Sequence, residues 1–121
     1  MRTERLLQRE AIKLCAIALP NVRLVHIPNE IPSPPGTTKK QRMIVNKMAN
    51  DDGRSPGFPD LVAFWGVGSV GFIELKAGKN HLSQAQVEWR DFLVLGRYNW
   101  ALARSAEEVL EILRGWICNE M

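Results

Sequence analysis

A chain of 121 residues suffices for one domain around one core. With 45% apolar and 24% charged residues it has an ordinary globular balance, unlike disordered, collagen-like or disulfide-stapled chains. A net charge of +3 with pI near 9.1 is too mild to mark a nucleic-acid binder by itself. No apolar run approaches the ~18 residues of a membrane span.

The opening MRTERLLQRE carries charge in its first turns and lacks the apolar core of a signal peptide. It reads as a helix instead: Thr3 is an N-cap, Leu6, Leu7, Ile12, Leu14 and Cys15 recur at helical spacing, and Pro20 stops the run. Val22 to Ile27 alternates and is rich in β-branched residues, the pattern of a strand. Residues 28–38 hold Pro28, Pro32, Pro34, Pro35 and Gly36 and form a loop. A second helix runs from Lys39 to Asn50, with Met43, Ile44, Lys47 and Met48 in phase, and Asp51-Asp52-Gly53 ends it. Arg54 to Phe58 is a second loop.

Two apolar strands follow, Asp60 to Trp65 and Val70 to Lys76, both apolar enough to be buried on two sides. Ser83 with Gln86 forms a capping box opening a helix to Leu95, expected to bury Val87, Phe92 and Leu95 or a neighbouring stripe and to end with Gly96 as its C′ residue. Tyr98 to Ala103 is a fourth strand. Ser105 with Glu108 repeats the capping box and opens a last helix carrying Val109, Leu110, Ile112, Leu113 and Trp116. Cys15 and Cys118 are expected as reduced, buried thiols, which fits a reducing cytoplasm. Trp65, Trp89, Trp100 and Trp116 occupy positions suited to core or dimer packing, with base stacking open to one of them. His26 fits a surface or packing role, and His81, close to Lys79, fits an exposed loop position or contact with a phosphate.

The chemistry concentrates in the hairpin. A turn centred on Val67, with Gly66 and Gly68 on either side, places Asp60 opposite Glu74, each seven residues away. Opposed residues of antiparallel strands sit about 4.5–5.5 Å apart at Cβ. Two carboxylates that close repel unless a cation bridges them or one takes a proton. Lys76 shares the side of Glu74 by the two-residue alternation of a strand, and the backbone carbonyl of Leu75 lies between them. Two acids, a carbonyl and waters make an oxygen shell suited to magnesium or manganese, and Lys76 is placed to orient a water or offset growing negative charge. Lys39, Lys40, Arg42, Lys47 and Arg54 lie just upstream and Lys79 just downstream. They suit either a solvated helix face or a cradle for a polyanion. Taken singly, Asp60 also suits a turn and Glu-x-Lys an exposed ion pair; together on two apolar strands they point to a site.

Gly57-Phe58-Pro59-Asp60, Glu74-Leu75-Lys76 and Leu82-Ser83-x-x-Gln86 resemble the PD-(D/E)XK nuclease superfamily, and within it the VRR-NUC branch of virus-type replication and repair nucleases. Glu4-x-x-Leu7-Gln8, Asn29-Glu30 and the basic helix before Gly-x-Pro-Asp also resemble that pattern, over nearly the whole chain. The resemblance implies one domain over residues 1–121, an α/β (α+β) restriction-endonuclease-like core with a mixed four-stranded sheet flanked by helices, and Mg2+- or Mn2+-dependent cleavage of DNA. It further implies homodimers acting on branched DNA such as four-way junctions. Carried over, Asp60 and Glu74 are metal ligands, Lys76 is the catalytic lysine, Glu4 is a further acid from the first helix, and Gln86 orients the site or touches the nucleic-acid backbone. Two other readings use the same residues: an inactive nucleic-acid-binding module of the same fold, and a small interaction protein whose acid pair is structural.

Overall fold

The computed structural model describes residues 3–28 and 34–120. Asn29, Glu30 and Pro32 lie outside them. Eight elements follow the expected order: α1 (Glu4–Ala18), β1 (Arg23–His26), α2 (Lys39–Asp51), β2 (Leu61–Trp65), β3 (Ser69–Leu75), α3 (Gln84–Leu95), β4 (Asn99–Ala103) and α4 (Ala106–Asn119). The sheet is mixed and its strands lie in the order β1-β2-β3-β4. β1 and β3 both run antiparallel to β2, while β4 runs parallel to β3. The parallel pair is made through α3, since parallel neighbours need a crossover rather than a tight turn.

One face of the sheet carries the core. Leu61, Ala63 and Trp65 of β2, Ile73 and Leu75 of β3, and Ala103 of β4 pack with Leu7, Ala11 and Cys15 of α1 and with Val109, Leu110 and Leu113 of α4. Leu7, Ala11 and Cys15 follow an i, i+4, i+8 row, so α1 buries a narrower stripe than expected and leaves Leu6 exposed. Gly71 belongs to the same face. A Cβ there would stand 2.3 Å from the Trp116 ring, so the missing side chain is what lets Trp116 lie on β3 and stack on Trp65 at 5.9 Å.

The opposite face is built from aromatic rings. Phe58 meets Phe72 edge-on at 5.9 Å and Trp89 at 4.8 Å, and Phe72 meets Tyr98 at 6.1 Å. Phe64 on this face stays half exposed, so β2 is buried on both sides only in part.

Two expectations change and one choice is settled. α3 buries the neighbouring stripe at Leu93, while Phe92 and Leu95 are exposed, because its many apolar residues define more than one face. Gly96 is the C-cap of α3, with φ −77°, and the left-handed C′ residue is Arg97, φ 63°. Tyr98 N–H donates to Leu93 O and Arg97 N–H to Val94 O, at 2.9 and 3.0 Å, the paired bonds of a Schellman ending. Cys118 is exposed, on the outer side of α4; only Cys15 is buried, and both thiols are free. Among the described residues no helix is long and apolar enough to cross a membrane.

Candidate active site

Glycines at Gly66 and Gly68 adopt left-handed φ of 55° and 78°, which closes the turn around Val67. The ladder that follows pairs Leu61 with Ile73 and Trp65 with Ser69. Continued by one residue, this register brings Asp60 opposite Glu74 at the open end of the hairpin. Pro59 is fully buried beside it and fixes the approach of the chain. The Asp60 backbone carbonyl accepts from Ile27 N–H at 2.9 Å. His26 Nδ1 lies 3.2 Å from the same oxygen, a hydrogen bond in the Nδ1–H tautomer. Asp60 is therefore anchored to β1 by its backbone. Its side chain reaches across to β3, where Oδ2 accepts from Leu75 N–H at 2.8 Å.

Glu74 is only 1% exposed. Its Oε1 accepts from Gln86 Nε2 at 3.0 Å. Its Oε2 is buried and receives no hydrogen bond, while the Asp60 carboxyl lies within hydrogen-bonding reach of the Glu74 side chain. Burial pushes the Glu74 carboxyl up to about 10; the hydrogen bond to Asp60, the negative charge of Asp60 and that of Glu4 push the same way, against the pull of Lys76. Left without a cation, this site holds a proton at neutral pH.

Lys76 follows β3 directly. Its N–H donates to Ala103 O at 3.1 Å, which ties it to the end of β4. Its Nζ lies 3.9 Å from Glu4 Oε1, with the lysine side chain mostly buried. Gln86 serves two partners at once. Its Oε1 accepts from Ser83 N–H at 2.8 Å, completing the capping box, while its Nε2 holds Glu74. One end of the Gln86 amide thus completes the capping box and the other holds the Glu74 carboxyl. Gly57 enforces the arrangement from the other side: with φ +82°, a Cβ would stand 2.4 Å from the Ala85 carbonyl carbon and 2.7 Å from Gln86 N. Only glycine lets the 54–58 loop close onto the first turn of α3.

The structure thus gathers Asp60, Glu74, Lys76, Gln86 and Glu4. Glu4 contacts Lys76, and among the described residues no three His, Cys, Asp or Glu side chains converge on one metal position. The side-chain donors available to a cation are the carboxylates of Asp60 and Glu74. Hard oxygen donors with one orphaned buried oxygen fit a magnesium- or manganese-type ion.

The predicted basic residues are not drawn into this cluster. Lys39, Lys40, Arg42 and Lys47 stand on α2, which buries none of its residues. Lys47 pairs locally with Asp51 at 3.0 Å, Arg42 donates to Thr37 O at 3.3 Å and Arg54 to Asn50 Oδ1 at 2.9 Å. Lys79 is exposed in the turn after Lys76. Arg104, which the sequence pattern did not single out, donates from Nη1 to Gly78 O at 2.8 Å and brings a second cation to that turn. No local signal marks it, because its partner lies across the β3–β4 crossover.

The VRR-NUC domain matches residues 20–107. The match takes in Asp60, Glu74, Lys76 and Gln86 and leaves Glu4 and most of α4 outside, a shorter span than the resemblance over nearly the whole chain. No curated protein and no solved structure matches. Matched over most of its length, on the stretch that builds the acid pair, this chain belongs to the VRR-NUC family of DNA-processing nucleases.

Proposed function

We infer that this domain is a divalent-metal-dependent endonuclease selective for branched DNA. The observation that carries the metal requirement is the buried, donorless Oε2 of Glu74 beside the Asp60 carboxyl, a pair that only a cation or a proton satisfies. Asp60 and Glu74 would hold the ion, with the Leu75 carbonyl as a further ligand. Bound there, Mg2+ or Mn2+ would neutralise charge on the scissile phosphate and lower the pKa of the attacking water. Lys76, held by Glu4, donates from its ammonium group to that water or to the oxygens that gain charge. Gln86 fixes the rotamer of Glu74 and so the position of its free oxygen.

A single domain over residues 1–121 is supported by α1 and α4 sharing one core with β2 and β3. Homodimerisation is supported by the apolar surface of α2, where Met43, Ile44 and Met48 are 62%, 51% and 61% exposed; a surface of that kind fits a partner. Lys39, Lys40, Arg42, Lys47, Arg54 and Lys79 would meet the phosphate backbone. Two free thiols, one of them exposed, suit a reducing cytoplasm.

The test is cleavage of labelled four-way junction, flap, duplex and single-stranded DNA with Mg2+, Mn2+ or EDTA. Metal-stimulated cuts concentrated on the branched substrates are expected. Tight binding without cuts under any metal would replace the reading with the inactive binding module. Light scattering at micromolar concentration is expected to give twice the monomer mass.

A further inference from the structure

The helix that supplies Gln86 continues along a groove that the acid cluster does not use. The groove has a volume of about 530 Å³ and is lined by Ser55, Pro56, Ala85, Glu88, Trp89 and Phe92, a size within the ~300–1,000 Å³ of ligand clefts. Its walls are two rings. Trp89 and Phe92 meet edge-on, with centroids 5.7 Å apart and planes at 79°. Trp89 is pinned: its Nε1 donates to Ser55 Oγ at 3.0 Å, and Phe58 packs on its other side at 4.8 Å. Phe92 is 65% exposed. A large aromatic side chain so open to water, next to a ring held rigid, is a ready platform for another flat ring.

The groove's position and charge select the occupant. Gln86, Trp89 and Phe92 follow one another at three-residue steps on α3, about 4.5 and 9 Å along the helix axis from the residue that holds Glu74. That distance is one to three nucleotides at about 3.4 Å each. Along the axis of α3 the two rings therefore lie within the length of a few nucleotides of the residue that holds Glu74. Glu88 on its rim repels phosphate but accepts from base amino groups, so a base and not the backbone suits the groove. Bases inside a duplex have both faces covered by neighbours. Only a nucleotide freed from pairing can offer a face to Phe92 and Trp89.

We propose that the Trp89–Phe92 groove is a stacking site for one unpaired nucleobase near the scissile phosphate, and that among branched DNAs it favours those that carry unpaired nucleotides. The proposal rests on the endonuclease reading for its substrate, and its test uses binding and not cleavage. Equilibrium affinity is measured by fluorescence anisotropy in EDTA with the full chain, on a flap whose unpaired positions carry bases, on the same flap with abasic positions, and on blunt duplex. Phe92→Ala is expected to weaken binding to the flap about 5- to 100-fold, to leave duplex binding unchanged, and to lose nothing further on the abasic flap. Phe92→Trp restores the affinity. Circular dichroism checks that the exposed position leaves the fold unaltered. Equal affinities for parent and Phe92→Ala on the flap would overturn the proposal. So would a Phe92→Ala protein whose light-scattering mass falls to half that of the parent, which assigns the groove to a second copy of the chain. If the base-dependent discrimination holds but no metal supports cleavage, the stacking site stands and the endonuclease reading falls.

Discussion

At the turn end of the β2–β3 hairpin, the carboxylate of Glu120 takes two donors on one oxygen: Trp65 Nε1 at 2.7 Å and Ser69 Oγ at 2.8 Å. At the open end, the carboxylate of Glu74 takes one donor and keeps a buried oxygen bare, with a second carboxylate beside it. The first arrangement is what a structural acid needs: its acceptors meet neutral donors, and it ties the end of α4 to the turn. The second is costly for a structural acid, because burial without a partner destabilises the charged form. The same hairpin thus carries a satisfied acid at one end and a poised one at the other.

Activity gives the widest separation between the two. Asp60→Asn, Glu74→Gln and Lys76→Ala are each expected to reduce single-turnover cleavage by at least about 100-fold, while Glu120→Gln leaves it within about threefold. A Lys76→Ala protein that cuts a junction as fast as the parent would end the assignment of catalysis to the open end.

Stability against pH separates them next. The Glu74 carboxyl is raised to about 10 from an ordinary 4.5, so between those values the folded protein keeps a proton that the unfolded chain has released. Metal-free stability is therefore highest near the acid side of that window and falls as pH rises through it. Melting temperatures in EDTA are expected to drop from pH 5 to pH 9. Glu74→Gln should flatten that slope, and Mn2+ should raise the melting temperature more at pH 9 than at pH 5. A parent protein with a flat profile in EDTA would show that Glu74 is not poised.

The smallest effect belongs to the satisfied acid. Glu120→Ala removes two bonds to one partly exposed carboxylate, worth about 1–2 kcal/mol together at such a site, or a melting shift of several degrees. That loss should be independent of added metal. A metal-dependent loss would blur the contrast between the two ends.

Much of the open end is legible in the chain. The Val67-centred turn with its two glycines sets the register by local geometry alone, and the register brings Asp60 to Glu74. Capping residues Thr3, Ser83 and Ser105 mark three helix starts because their side chains accept from the first turn. Local signals fail where the partner is distant. Glu108 matches a capping box, yet its side chain accepts from Arg104 N–H. The buried face of α3 is chosen by tertiary packing among several apolar rows, so Leu93 is inside and Phe92 outside. Gly96 looks like the helix terminator, but the left-handed position falls one residue later, on Arg97. The Trp89–Phe92 groove needs the 54–58 loop folded against α3, a contact set by Gly57 across nearly thirty residues of chain.

The amide of Gln86 has no slack. One end secures the first turn of α3 and the other secures Glu74, so rotating the group to suit a newly arrived ion would release the helix start. Loading of the acid pair and winding of α3 are coupled through a single planar group, and the exchange rate of the Ser83 amide proton becomes a gauge of what the pair is holding.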